Sequence, residues 1–205
     1  MHLPDGIIPL NQALIYWAIM IIALSIFSYK MSKNQSEQRF VLIALLSVAT
    51  VVATSISIPS PFGVPIHFFL IPLVVILLGP LNGIAVSFLS LLVQLFLGMG
   101  GLTTLGANVC SMGIALSIGT YIFYILVSRF NKTIGIFIAT LMGIIFATLT
   151  QISILVISGS TSLETLIYSL LPFYLFVGII ESFATTLIVS TIEKVKPDLM
   201  TLDKF

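Results

Sequence analysis

Short polar turns divide this sequence into seven long apolar stretches, and that pattern constrains the fold more than any other feature. A helix needs about 20 apolar residues to cross the hydrocarbon layer of a bilayer. The chain is 7% charged, against about a quarter in soluble domains, so we expect an all-α membrane protein with about seven transmembrane helices. The predicted helices run approximately over residues 10–29, 40–58, 66–79, 81–97, 107–127, 133–158 and 165–192.

The third of these stretches differs from the others. It is too short for a comfortable crossing, contains Pro72, and follows the Pro- and Gly-rich segment PSPFGVP at residues 59–65. We therefore expect a broken or tilted helix here rather than a regular crossing.

The basic residues predict how the bundle lies in the membrane, because Lys and Arg near helix ends stay on the cytoplasmic side. Seven crossings place all of them on one side: Lys30, Lys33, Arg39, Arg129, Lys132, Lys194, Lys196 and Lys204. The amino terminus is therefore predicted outside and the carboxyl terminus in the cytoplasm. We expect residues 1–205 to form one domain of a multi-pass protein of the cell membrane.

The opening residues, MHLPDG, lack the basic segment and the small-residue cleavage pattern of a signal peptide. We therefore expect Met1 to stay on the mature protein, also because a bulky His2 is a poor context for methionine removal. In the predicted topology this stretch shares the outer face with PSPFGVPIH (59–67) and GMGGLTTLGAN (98–108). Three polar, turn-rich stretches at one face are the first indication of a functional site.

The chain has two histidines, His2 and His67, and the predicted topology brings both to the outer face. A free terminal amine, the backbone nitrogen of His2 and its imidazole can bind one ion, closing a five-membered and a six-membered chelate ring. Removing the amide proton demands a strongly polarising ion that favours a planar field of nitrogens. The pattern therefore indicates Ni(II), Co(II) or Cu(II) rather than Mg or Ca, with His67 as the fourth nitrogen.

The same residues also have an interpretation that involves no metal. A single histidine is more often a hydrogen-bonded side chain than a metal ligand. Pro4 and the Asp5-Gly6 turn pair fit an exposed terminus ahead of the first helix as well as a terminus that folds back toward the bundle. From the residues alone, both interpretations stay open.

Four polar residues inside the apolar stretches are further candidates, since such residues are costly in a membrane and usually face the bundle interior. They are Gln94, Asn108, Gln151 and Glu181. Asn108 follows the glycine-rich turn at the outer start of the fifth helix, where it can orient a metal ligand. Glu181 lies deeper, away from His2, and is expected as a buried carboxyl that is neutral or hydrogen-bonded between helices.

Missing motifs exclude several classes of protein. No G-x-x-x-x-G-K-[ST] occurs, so we expect no ATPase activity from this chain, and no H-E-x-x-H zinc protease motif occurs either. Cys110 stands alone, which excludes an intrachain disulfide and a multi-cysteine metal cluster. No nucleic-acid partner is expected. Two rival classes stay open: a channel or metal-independent transporter, and a membrane enzyme that uses Glu181.

Four stretches together resemble the CbiM/NikM family, the substrate-binding membrane components of energy-coupling factor (ECF) cobalt and nickel transporters. They are MHLPDG (1–6), PSPFGVPIH (59–67), GGLTTLGAN (100–108) and GIIESFATTLIVSTIEKVKPDL (178–199), so the likeness runs through nearly the whole chain. The chain departs from the family pattern in the bulky residues IHFFLIP around His67. It also has Met99 where an acidic residue is common.

The resemblance implies a component of an ABC-type importer that captures Ni(II) or Co(II) and is not itself an enzyme. The implied ligands are the terminal amine of Met1, the backbone nitrogen and imidazole of His2, and the imidazole of His67. The resemblance also implies a seven-helix bundle whose first helix inserts among the others. The implied partners are a transmembrane coupling subunit, two cytoplasmic ATPase subunits and often a small companion membrane subunit, in a system linked to cobalamin biosynthesis.

Overall fold

The computed structural model describes residues 2–33, 37–56 and 67–197. Within these ranges the chain forms helices and no strand. The helices are α1 (Leu10–Lys33), α2 (Glu37–Ser55), α3 (Ile71–Leu78), α4 (Pro80–Phe96), α5 (Leu105–Ser128), α6 (Lys132–Ile157) and α7 (Leu163–Val195). Each of them falls on one of the seven predicted stretches, which confirms the all-α architecture.

The lengths of the helices and their exposed apolar side chains both identify a multi-pass membrane protein. Among the described helices, α1, α5, α6 and α7 are long and apolar enough to cross a membrane, and α2 and α4 are shorter apolar helices. Large apolar side chains such as Leu14, Ile22 and Phe183 are more than half exposed, which suits hydrocarbon rather than water. The orientation of the two ends in the membrane stays a prediction.

Helix α6 forms the middle of the main bundle, with α5 on one side and α7 on the other. Its buried face carries the small residues Ala139, Gly143 and Ala147. Small side chains at helix crossings let backbones approach closely, which stabilises helix association where no water is displaced. This three-helix core gives α7 a fixed position relative to the rest of the bundle.

Helix α3 is a half-length helix inside the bundle, and all eight of its residues are buried. Pro72 lies in its first turn, and Gly79 ends it with φ 93° and ψ 170°, a conformation that favours glycine. Pro80 then begins α4. The third crossing is therefore discontinuous, as predicted, because Gly79 leaves the helical conformation and Pro80 has no N–H to continue the helical hydrogen bonds.

Helix α5 contains a wider turn that the sequence does not reveal. The residues Val109–Ala115 form a π-helix between α-helical turns at Leu105–Asn108 and Leu116–Ser128. Such turns are rare and occur frequently at functional sites. This one begins directly after Asn108, one of the candidate site residues.

Helix α1 lies at the periphery of the bundle. Three of its residues are buried, Ala13, Met20 and Met31, and its packing partners include α4 and α5. Insertion of the first helix among the others, which the resemblance implies, is therefore wrong for this structure. The inserted part is the segment ahead of the helix, where Leu3 and Ile8 are 3% and 5% exposed. An all-apolar helix gains little from leaving lipid, whereas the polar backbone of a non-helical segment needs partners from the protein.

Candidate metal centre

Residues 2–9 form an arm ahead of α1 that lies at one end of the bundle. The arm contacts the turn at residues 98–108, between α4 and α5, and reaches the turn between α6 and α7. There the Ser160 hydroxyl donates to the carbonyl of Ile7 at 2.6 Å. The predicted contact between the polar stretches MHLPDG and GMGGLTTLGAN is confirmed. In the other predicted stretch, PSPFGVPIH, His67 is the one residue within the described ranges.

Asp5 anchors the arm to the 98–108 turn. Its carboxylate accepts hydrogen bonds from the Leu102 N–H at 3.1 Å, from the Thr103 N–H at 2.8 Å, and from the Thr103 hydroxyl. The Thr103 hydroxyl, together with these backbone N–H groups, holds the pKa of Asp5 below its usual value, so the side chain is ionised at neutral pH. A Cβ at Gly101 would overlap Asp5, so this close approach requires glycine. The sequence indicates Asp5 only as a turn residue and carries no signal for this role.

Asn108 holds the residue that follows His2. Its side-chain oxygen accepts the Leu3 N–H at 2.9 Å, and its amide nitrogen donates to the Leu3 carbonyl at 3.3 Å. The Thr104 hydroxyl donates to the same carbonyl. Asn108 is 2% exposed and Thr104 is fully buried, so water competes little with these bonds. The arm is therefore fixed on the carboxyl side of His2.

The two imidazoles share one unusual property. His2 and His67 are partly buried, and the Nδ1 atom of each is buried without a hydrogen-bond partner in the described part of the chain. Burial lowers the pKa of His2 to about 3, and electrostatic contributions from the terminal amine and from His67 add to this effect. His2 is therefore neutral at neutral pH, which is the form that binds metals.

Side chains alone do not complete a metal site here. Within the described ranges, no three His, Cys, Asp or Glu side chains come together in a way that could hold an ion. A site of four nitrogens must therefore draw on backbone and terminal nitrogens beside the imidazoles of His2 and His67. Met1, whose amine is the predicted further ligand, lies outside the described residues.

Glu181 contacts the segment that carries His67. It is fully buried on α7, and its carboxylate accepts hydrogen bonds from the N–H groups of Phe69 at 2.9 Å and Leu70 at 2.8 Å. The predicted buried, hydrogen-bonded carboxyl is confirmed, although its partner is the segment ahead of α3 rather than another helix. The sequence analysis did not find this link, since nothing in the local sequence pairs residue 181 with residues 69 and 70.

The other polar candidates serve helix packing. The Gln94 amide donates to the hydroxyls of Thr54 and Ser90, which joins α4 to α2. Gln151 is 5% exposed on the inner face of α6. Cys110 is buried as a free thiol.

Comparisons with known proteins match the fold and the sequence over nearly the whole chain. The family described as CbiM, cobalt uptake substrate-specific transmembrane region, matches residues 2–199. The cobalt transport protein CbiM of Thermosipho melanesiensis is 29% identical over 204 residues, which cover 95% of this chain and 87% of that protein. A putative fused nickel transport protein NikMN of Archaeoglobus fulgidus is 30% identical over 205 residues, covering 98% of this chain and 68% of that protein.

A solved structure agrees as well. The crystal structure of a transition metal transporter superposes with a TM-score of 0.85 at 25% identity, covering 95% of this chain and 93% of the other. The family match extends from the histidine of the arm to the end of α7, so it includes both halves of the candidate site. The chain therefore belongs to the CbiM family of cobalt uptake substrate-specific transmembrane regions.

Proposed function

We propose that this protein is the substrate-binding membrane component of an ECF-type importer and that it captures Ni(II) or Co(II) outside the cell. The metal is held by the terminal amine of Met1, the backbone nitrogen and imidazole of His2, and the imidazole of His67. Membership of a cobalt uptake family supports this proposal, as does the likeness to relatives named for cobalt and for nickel transport.

The observation that carries the proposal is the pair of buried, unpartnered imidazole nitrogens at His2 and His67. Leaving a buried polar atom without a partner costs about 1–3 kcal/mol. A shared ligand removes that cost for both atoms at once. Nδ1 of His2 is also the atom that closes the six-membered ring with the backbone nitrogen of the same residue, so it is the nitrogen that a chelate uses.

The anchors of the arm explain how such a site gains affinity. Asp5 and Asn108 hold the chain on the carboxyl side of His2 before any metal arrives. Binding then has less conformational entropy to remove, which is the general advantage of a preorganised site. Release inward requires a second conformation in which the ligands separate. We propose that two cytoplasmic ATPase subunits drive that change through a transmembrane coupling subunit, with a small companion membrane subunit beside them.

Metal content is the direct test. The purified protein with its native Met1 is compared by elemental analysis with a version that carries Gly-Ser ahead of Met1, and with His67→Ala. We expect about one Ni or Co per native chain, as one four-nitrogen site predicts, and little or none in the two variants. Equal metal in the native and extended proteins would show that the terminal amine is not a ligand.

The transport role needs a separate measurement. Cells that produce this chain with its coupling and ATPase subunits should accumulate Ni or Co, and cells whose ATPase subunits carry a disabled P-loop should not. Accumulation that does not depend on the ATPases would favour a channel or another kind of transporter.

A further inference from the structure

One buried carboxylate has no part in the metal site as described so far. We propose that Glu181 is the positioning residue for His67: its carboxylate clamps the backbone that links His67 to helix α3 and thereby sets where the imidazole lies. This inference rests on the proposed metal site and deepens it, because it names the group that places the fourth ligand.

The hydrogen bonds to Glu181 use both of its carboxylate oxygens. Oε2 accepts the Phe69 N–H at 2.9 Å and Oε1 accepts the Leu70 N–H at 2.8 Å. Glu181 is fully buried, so no water competes for the hydrogen bonds that its two oxygens accept. Two bonds from successive residues fix both the position and the direction of this short backbone segment.

The backbone at this point is strained, which shows that something must hold it. Leu70 has φ 53° and ψ −4°, and within the described ranges it is the one non-glycine residue with a positive φ. A left-handed conformation is unfavourable for a residue with a Cβ, because the Cβ comes too close to the following carbonyl oxygen. No side chain at the start of α3 caps the helix, and Pro72 has no N–H to contribute. The carboxylate of Glu181 offsets this cost.

Helix α7 holds the same segment through an apolar contact. Tyr174 precedes Glu181 by two turns, so both residues lie on one face of the helix. The Tyr174 ring packs against Phe69 with centroids 6.3 Å apart, and Phe69 is 5% exposed. Phe69, one of the bulky residues after His67 that depart from the family pattern, is therefore buried against α7. Polar and apolar contacts together tie the position of His67 to this helix.

Nickel titration of the full-length protein tests the proposal. Glu181→Gln keeps one side-chain oxygen as an acceptor. It replaces the other with an NH₂ group, which cannot accept the second of the two backbone N–H hydrogen bonds. We expect binding about 10–100-fold weaker, the loss usual when a group that orients a ligand is removed. The visible absorption of bound Ni(II) should shift toward the spectrum of His67→Ala. Glu164→Gln removes an exposed carboxylate from the first turn of the same helix and should change neither.

A double-mutant cycle separates positioning from general stability. If Glu181 acts through His67, adding Glu181→Gln to His67→Ala should weaken nickel binding by no more than about twofold, which is the usual scatter of such cycles. Glu181→Asp keeps the charge but shortens the side chain. It should give an intermediate loss of affinity, and it replaces Glu181→Gln in the cycle if that variant does not fold.

Each other result has a definite meaning. The proposal would be overturned if Glu181→Gln, or Glu181→Asp in its place, kept the native nickel affinity and the native nickel spectrum. It would also be overturned if the Glu181 substitution weakened nickel binding equally in the presence and absence of His67, since a general structural role gives that result. If the native protein binds neither nickel nor cobalt, or if His67→Ala binds them normally, the metal site itself is refuted, and that failure is distinct from a failure of the Glu181 clamp.

Discussion

The two histidines of the proposed metal site are held in different ways. The arm that carries His2 is held by the side chains of Asp5, Asn108 and Thr104, which form hydrogen bonds at one end of the bundle. The segment that carries His67 is held by helix α7, through hydrogen bonds to the buried carboxyl of Glu181 and through the packing of Phe69 on Tyr174.

Asp5 and Glu181 differ in their access to water. An exposed hydrogen bond, like those of Asp5, can be exchanged for one to solvent, so its net contribution is small, about 0.5–1.5 kcal/mol. Glu181 is fully buried, so losing its carboxyl group leaves the N–H groups of Phe69 and Leu70 without their partner. We therefore expect substitutions in the arm to weaken nickel binding by different amounts, and substitution of Glu181 to weaken it strongly.

The largest effect in the arm should come from His2→Ala, which removes a ligand and leaves every anchor in place. We expect nickel binding to weaken by more than the about 10–100-fold that is typical of losing a group that merely orients a ligand. Isothermal titration measures the affinity. The unfolding temperature of the metal-free protein should change little, and a large drop in it would mean that His2 is mainly a structural residue.

Asn108→Leu should come next. It removes both bonds to Leu3 and leaves the Leu3 N–H buried, at a cost of about 1–3 kcal/mol in the free energy of unfolding. We expect nickel binding about 10-fold weaker, at the lower end for such groups, because Thr104 still holds the Leu3 carbonyl.

The matched control for Asn108 is Asn82→Leu. Asn82 is fully buried too, but its side chain donates to the Leu78 carbonyl at 2.6 Å, within the α3–α4 region. We expect this variant to lose stability and keep its nickel affinity. Equal losses of affinity in the two variants would contradict a specific role for Asn108.

Gly101→Ala should have a moderate effect through packing. Its Cβ would overlap Asp5 and push the arm away from the turn, and such overpacking costs about 1–3 kcal/mol. Trp17, the one tryptophan of the chain, reports on this contact because its indole N–H donates to the Leu102 carbonyl at 3.2 Å. We expect a shifted Trp17 emission in Gly101→Ala. Gly98→Ala, where a Cβ meets open space, should strain the backbone without moving the arm.

The smallest effect should come from Asp5→Asn, since Asp5 is exposed and the amide keeps one acceptor. We expect nickel binding weakened by about fivefold or less, in line with the ~1 kcal/mol upper range for exposed charged pairs. A loss as large as that of His2→Ala would contradict the idea of shared anchors.

The pH dependence of this anchor follows from the lowered pKa of Asp5. Its contribution is fully present above the pKa of the unfolded chain and is lost as pH falls through the lower folded value. A difference in Trp17 emission between native protein and Asp5→Asn should therefore persist at the usual pKa of an aspartate, about 3.9, and disappear only in stronger acid. A midpoint at or above that pH would show that the pKa of Asp5 is not lowered.

The sequence by itself determined the features that depend on near neighbours in the chain. The seven helices follow from runs of apolar residues measured against the thickness of a bilayer, and the interruption of the third follows from Pro72 and Gly79. The proposed chelate at His2 is predictable for the same reason. An amine, an amide and an imidazole on adjacent residues can form chelate rings with one metal ion independently of the fold of the rest of the chain.

Only the tertiary structure decided which distant backbone groups the buried polar side chains hold. Asn108 reaches Leu3 across 105 residues and Glu181 reaches Phe69 across 112, and both contacts depend on how each helix is rotated in the bundle. Apolar helices in a membrane have no clear hydrophobic face to fix that rotation, so close packing, small residues and buried hydrogen bonds decide it. The peripheral place of α1 and the π-helix after Asn108 arise in the same way, and local sequence carries no signal for either.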